Sequence, residues 1–173
     1  MFESFIKFVS YIAVSGLLSN IFGYLLPRHL LNPDIFPYKS FKWEKDGRVY
    51  ERIYVTKWKT KVPDMSKIIK SLYPKVLTRK PDSNQMNILI LESCTAELVH
   101  VLLIAASPLL LRIIGGFWGK FYFVCNILGN IPYIIIQRYN RPKFKRVYAL
   151  LCIREQKNHS LEETINESVN TVM

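Results

Sequence analysis

The chain has 173 residues, a formal net charge of +11 and 50% hydrophobic residues. Its apolar residues fall in blocks and its cations flank them, a pattern that excludes one soluble core and indicates a small membrane protein. Cys94, Cys125 and Cys152 lack metal or redox spacing and are expected to be free and reduced, so no metal is expected; the expected partners are lipids, with no nucleic acid among them.

Three blocks approach the roughly 17–25 apolar residues that a membrane helix needs: residues 5–26, 98–114 and 117–136. The expected fold class is therefore an all-α integral membrane protein with about three transmembrane helices, joined by basic amphipathic interfacial helices. Residues 1–154 are expected to form one membrane domain, and 155–173 a polar, mobile tail.

The first block has a barely basic start, with Glu3 and Lys7, and no small-residue cleavage site after it, so it is expected to be an uncleaved anchor. Ser15, Ser19 and Gly23 recur every fourth residue, which permits close helix packing in lipid. The loop 28–97 carries 14 Lys/Arg and residues 138–173 carry 7. The positive-inside rule then puts the loop and the C-terminus in the cytoplasm of a multi-pass cell-membrane protein.

Within the loop, Tyr50, Ile53, Tyr54 and Trp58 stand at helical spacing among Arg48, Arg52, Lys57, Lys59 and Lys61. The spacing predicts a basic amphipathic helix lying on an anionic lipid surface. Residues 67–80 repeat the theme, interrupted by Pro74. Asp82-Ser83-Asn84 reads as a helix start, with one helix running from Asn87 into the second span. Pro108 falls inside that span, which is tolerated where neighbouring helices cover the freed backbone groups.

Two constellations carry chemistry. Glu97 and His100, three apart, share one helix face at the membrane boundary. In the third span Tyr122, Asn126, Asn130, Tyr133 and Gln137 make a polar stripe that ends at Arg138-Tyr139-Asn140-Arg141-Pro142. Polar groups in a span face the bundle interior, so the stripe is expected to point at the other helices.

An imidazole titrates near neutrality and can take a proton from an alcohol. A carboxylate bonded to its ring would orient it, and guanidinium forks bind phosphate or an oxyanion. His100 is thus the expected base, Glu97 its orienter, and Arg138 and Arg141 anion binders. Gln137, Asn140, Asn130, Tyr133, Trp58 and Lys59 complete the expected substrate- or anion-binding set. The competing reading makes Glu97 and Arg138 an ion pair that ties two helices together.

No G-x-S-x-G, Walker, dinucleotide or H-E-x-x-H motif occurs. His29 and Asp34 form an H-x-x-x-x-D string similar to that of glycerolipid acyltransferases, but Asn32-Pro33 lies inside it and no helix frames it.

The chain resembles the glycosyl-4,4'-diaponeurosporenoate acyltransferase family. The resemblance rests on Tyr38-Lys-Ser-Phe41, Glu44 to Gly47, Val55-Thr-Lys-Trp58-Lys59, Glu92, Ala96 to His100, Asn130-Ile-Pro132 and Gln137 to Pro142. It covers roughly residues 38–64 and 90–143, with the last motif the most specific. Asp46 departs from a member that carries histidine there, and residues 65–89 and the tail do not match.

The resemblance implies esterification of a fatty acyl group onto the sugar primary hydroxyl of a glycosylated carotenoid, giving a staphyloxanthin-like product. An acyl thioester, acyl-CoA or acyl carrier protein, would be the co-substrate, with no bound cofactor. The alternatives are an O-acyltransferase acting on another glycolipid or polar lipid, and a non-catalytic membrane scaffold for a lipid-pathway enzyme.

Overall fold

In the computed structural model, residues 1–63 and 81–172 are described, with side chains to residue 164. The expected second amphipathic segment, 67–80, lies outside the described residues. Among these there is no strand. Helix α1 spans Phe2–Leu25, α2 Val55–Trp58, α3 Ser83–Ala106, α4 Leu109–Ile113 and α5 Gly116–Val172. Three stretches are long and apolar enough to cross a membrane, namely α1, α3 continued through α4, and the first part of α5. The chain is an all-helical membrane protein.

Helix α1 is apolar on every side, and most of its large side chains are exposed, including Phe5, Val9, Leu17 and Leu18. That suits a helix solvated by lipid. Its inward face is the small-residue stripe. Ser19 bonds the Ser15 carbonyl at 2.6 Å, so the hydroxyl asks nothing of its neighbours. At Gly23 an added Cβ would lie 3.4 Å from Val99 and 3.5 Å from Thr95, which shows how closely α1 rides on α3.

Helix α3 starts at Ser83, within the expected Asp82-Ser83-Asn84 start. Asp82 caps it, its carboxylate accepting from the Gln85 N–H at 2.7 Å. The helix breaks at Ser107-Pro108, where proline removes a backbone donor. There the Ser107 hydroxyl and N–H both turn to the Ile104 carbonyl, at 2.7 and 3.0 Å. Gly115 and Gly116, with φ of 70° and 55°, then reverse the chain into α5.

Helix α5 runs for 57 residues and contains Pro132 and Pro142. At 1.5 Å per residue it is about 86 Å long, nearly three times the hydrocarbon thickness of a bilayer. The expected tail from Glu155 is helical in the structure, continuing α5 without a break to Val172. No Gly or Pro follows Pro142, and Leu, Glu, Lys, Gln and Arg favour the helical state. Glu155 also accepts from the Ser83 N–H at 3.1 Å, which places it beside the start of α3.

The loop after α1 folds back over the end of the bundle, here called the loop end. It uses 3-10 turns at Arg28–Leu30, Lys42–Glu44 and Arg48–Ile53. Lys45, Asp46 and Gly47 are successive left-handed residues, with φ of 49°, 54° and 85°, and they turn Gly47 onto α5. A Cβ there would stand 3.1 Å from the Tyr139 carbonyl oxygen and 3.2 Å from its Cα, so only glycine lets the two backbones approach this closely.

The expected amphipathic helix over 50–61 is split in two at Tyr54, whose φ is 53°. Tyr50 and Val55 turn inward against Tyr139, with Trp58, Ile135 and Ile136 around them, while Ile53 and Tyr54 stay exposed. The break follows from the burial of Tyr50: its hydroxyl donates to Glu44, and one straight helix could not serve that contact and also seat Val55.

Candidate active site

At the loop end, three buried charges and the largely buried Arg138 alternate in sign. Arg138 and Arg141, three apart on α5, face Glu97 of α3. The Arg138 Nε donates to Glu97 Oε1 at 2.9 Å, and an Nη2 group of Arg141 donates to Glu97 Oε2. Arg138 Nη1 bridges both oxygens of Glu44, each at 2.9 Å. Glu44 is 1% exposed, Arg141 2% and Glu97 3%. Two carboxylates and two guanidiniums make the lattice neutral, which is what lets it be buried.

The remaining donors are also engaged. Arg138 Nη2 donates to the Pro37 carbonyl at 2.6 Å, and its guanidinium lies 4.6 Å from the centre of the Phe41 ring. Arg141 Nε donates to Ser93 Oγ at 2.8 Å, Nη1 to the Tyr38 carbonyl at 2.7 Å and Nη2 to the Ser93 carbonyl at 3.0 Å. Glu44 accepts further from the Phe41 N–H at 2.6 Å and from the Tyr50 hydroxyl. Burial, and then the bond to Glu44, push the Tyr50 hydroxyl well above the ordinary tyrosine range. It therefore stays a proton donor.

The expected contact between Glu97 and His100 is not the one that forms. Glu97 is held by two guanidiniums, which outcompete a neutral imidazole for a carboxylate. His100 instead turns to α5, where its Nδ1 lies 2.8 Å from Asn130 Oδ1. The ring stacks on Tyr133, with centroids 4.3 Å apart and planes 12° from parallel. Asn130 Nδ2 donates to the Asn126 carbonyl at 2.8 Å, and Asn126 Nδ2 to the Leu103 carbonyl at 3.2 Å. The polar stripe does point into the bundle, and Tyr122 closes its far end by stacking on Phe8 of α1 at 4.3 Å. Gln137, half-buried, follows Tyr133 by one turn.

Trp58, Lys59 and Asn140 assemble on another face of α5, beside Tyr139. Trp58 Nε1 donates to the Ile53 carbonyl at 2.9 Å. Lys59 Nζ donates to Asn140 Oδ1 at 3.0 Å and lies 4.9 Å from the centre of the Tyr139 ring. Burial and the nearby Lys143 charge lower the Lys59 pKa. The expected site residues thus fall into three places: the ionic lattice, the His100–Asn130–Tyr133 cluster one turn deeper, and the Lys59 patch.

Glu44 and Tyr38 are the members that sequence reasoning did not single out as site residues. The signal for Glu44 was charge balance, since two buried arginines need two carboxylates and Glu97 is one. Arg28 was also missed. It ties α1 to α3 through Glu92 at 2.8 Å and Thr95 Oγ1 at 2.9 Å, while bonding the Gly23 carbonyl at 3.0 Å. Asp34 of the H-x-x-x-x-D string pairs with Lys145, and with Tyr38, Ser40, Asp46 and Arg146 it lines a cleft of about 260 Å³ beside Arg141. Among the described residues, no group of three His, Cys, Asp or Glu could hold a metal ion.

A family model described as CrtO, glycosyl-4,4'-diaponeurosporenoate acyltransferase, matches residues 36–150, which contain the whole ionic lattice and the His100 cluster. The chain belongs to this family. Staphylococcus aureus proteins bearing the same name are similar to it. The one from strain bovine RF122 / ET3-1 is 30% identical over 128 residues, covering 70% of this chain and 73% of its own. The one from strain USA300 is 27% identical over 143 residues, covering 79% and 82%. No solved structure matches significantly. As a CrtO-family chain it is an acyltransferase, and its lattice and stripe belong to the matched region, whereas α1 and the end of α5 lie outside it.

Proposed function

We propose that this CrtO-family acyltransferase esterifies a fatty acyl group onto the sugar primary hydroxyl of a glycosylated carotenoid, with His100 as general base. The observation that carries the mechanism is the half-buried imidazole inside an apolar bundle, held by Asn130 and Tyr133. An ionisable group placed there costs free energy that packing alone would not demand. The acceptor rests on the names of the S. aureus relatives.

The polyene of such an acceptor stays in lipid while its sugar reaches the loop end. His100 takes the hydroxyl proton as the oxygen attacks the thioester carbonyl. The carbon–sulfur bond then breaks, and the leaving thiolate receives the proton from the imidazolium. The donor is an acyl thioester, on CoA or a carrier protein. The loop end is cytoplasmic, by the excess of Lys and Arg it carries. Exposed Arg48, Arg52, Lys57 and Lys61 face the anionic leaflet, each contributing about 1 kcal/mol near its surface.

Glu97, Arg138 and Arg141 act in this scheme by holding the loop over the bundle. Gln137, Lys59 and Asn140 remain the polar groups for the donor's carbonyl and headgroup. The test is lipid mass spectrometry of a carotenoid-glucoside-producing host, expressing either the parent or His100→Ala at matched membrane levels. The parent should add one fatty acyl mass to the pigment, and the variant should lose that product by on the order of 10²-fold or more. Equal acylation by both would overturn the base. Acylation by neither, with a different acylated glycolipid found by untargeted lipidomics, would overturn the carotenoid acceptor.

A further inference from the structure

We infer that Asn130 selects the working nitrogen of His100, keeping the proton on Nδ1 and leaving Nε2 to exchange protons with the substrate. This deepens the proposed function and rests on His100 being its base. One group beside Asn130 has no choice of role. The Asn126 backbone carbonyl can only accept, and it lies 2.8 Å from one terminal atom of the Asn130 amide. That atom must be the NH2 group, since the reverse orientation would set two oxygens against each other at hydrogen-bond distance.

The Asn130 amide is thereby fixed, and its oxygen faces His100 Nδ1 at 2.8 Å. An oxygen accepts, so Nδ1 must carry the proton, whether the ring is neutral or charged. Among the described residues Nε2 has no hydrogen-bond partner. The Tyr133 ring, stacked 4.3 Å away and 12° from parallel, holds the imidazole plane and resists a flip that would exchange the nitrogens.

The chain of donors thus runs one way, from His100 Nδ1–H through the Asn130 amide to the Asn126 carbonyl. Its origin is a backbone oxygen. In Ser-His-Asp sites a carboxylate does this work and also stabilises the imidazolium. Here the partner is a neutral amide, and the carboxylate of Glu97 is engaged by Arg138 and Arg141. The other titratable groups on the packed helices include Glu92 and Cys94 on α3 and Tyr122, Cys125, Tyr133 and Tyr139 on α5. Between Tyr11 and Arg28, α1 carries only Tyr24, which is 64% exposed. Asn130 is therefore a positioning residue, acting through His100.

The experiment uses the full chain in lipid nanodiscs with 15N-labelled histidine. His29 and His159, both exposed, are replaced by Gln so that His100 alone reports. The neutral parent should show its proton on Nδ1. Asn130→Leu should move it to Nε2, the ordinary preference of a free imidazole, and lower kcat on the order of 10²-fold with the acceptor KM nearly unchanged. Asn130→Asp keeps an acceptor oxygen for Nδ1 but sets its other oxygen against the Asn126 carbonyl, so it should retain the parent tautomer while recovering kcat only in part.

A proton on Nε2 in the parent overturns the inference, as does an unchanged tautomer in Asn130→Leu. If Asn130→Leu fails to accumulate, the spectra of the parent and Asn130→Asp decide. If the tautomer switches as stated while Asn130→Leu and His100→Ala both keep full activity, Asn130 does set the nitrogen and the base assignment falls instead.

Discussion

Replacing Glu44 by Gln keeps the shape of the side chain and removes one of the two negative charges in the buried lattice. Arg138 would then share with Arg141 the single carboxylate of Glu97, in a place where the Arg138 side chain is only 10% exposed. Breaking a buried pair by removing one partner costs about 3–5 kcal/mol, because a charge is left uncompensated away from water. For a chain of this size each kcal/mol shifts the melting temperature by about 2–4 °C. Glu44→Gln should therefore melt roughly 6–20 °C below the parent in detergent micelles. Trypsin should also cut sooner after Lys39, Lys42 and Lys45, since the loop that carries them loses its anchor. The double variant Glu44→Gln/Arg138→Gln removes one charge of each sign, leaves Glu97 paired with Arg141, and should recover most of the loss. A Glu44→Gln protein that melts within about 2 °C of the parent, or a double variant less stable than the single, would refute the electrostatic account.

Gly47→Ala should cost about 1–3 kcal/mol, since φ is +85° and the new Cβ would meet α5 backbone that cannot give way; thermal melting checks it. Gly23→Ala should be nearly neutral because it meets only side chains at 3.4 and 3.5 Å, whereas Gly23→Leu should pry α1 from α3 and weaken a disulfide cross-link engineered between them. Tyr50→Phe should lose about 1–2 kcal/mol by leaving a Glu44 oxygen short of a donor. The pH dependence has a definite sign. The Tyr50 pKa is raised in the fold, so its contribution is fully present below the unfolded value near 10 and is lost as pH climbs toward the folded value. The parent should lose stability above about pH 10 more steeply than Tyr50→Phe does.

Much of the architecture was legible because membrane spans announce themselves by composition. The inward stripe from Tyr122 to Gln137 was legible for the same reason, as polar residues at helical spacing have one place to go in a bilayer. The ion pair of Glu97 with Arg138 was readable as the competing interpretation, a tie between two helices. What escaped were contacts between residues distant in sequence. Glu44 meets Arg138 across 94 positions, and nothing local distinguishes Glu44 from Glu51, which stays exposed. The split at Tyr54 was hidden because the spacing from Tyr50 to Trp58 suits one helix, and only the seat of Tyr50 on Glu44 breaks it. The third span was expected to close at residue 136, yet α5 continues through Pro142, with Gly47 docked at Tyr139. The partner expected for His100 was misread, since i,i+3 proximity to Glu97 says nothing about the two guanidiniums that claim that carboxylate first.

The neutrality of the buried lattice also constrains how such a chain can diverge. Positions 44, 97, 138 and 141 form a ledger whose entries can change only in offsetting pairs, because any single charge lost or gained strands another. A lineage leaves this arrangement by one double step, either exchanging a carboxylate and a guanidinium for apolar residues together or swapping their places. Every one-residue path between those endpoints crosses a destabilised intermediate. Aligned relatives should therefore show these four positions drifting as couples, while the exposed lysines around them vary one at a time.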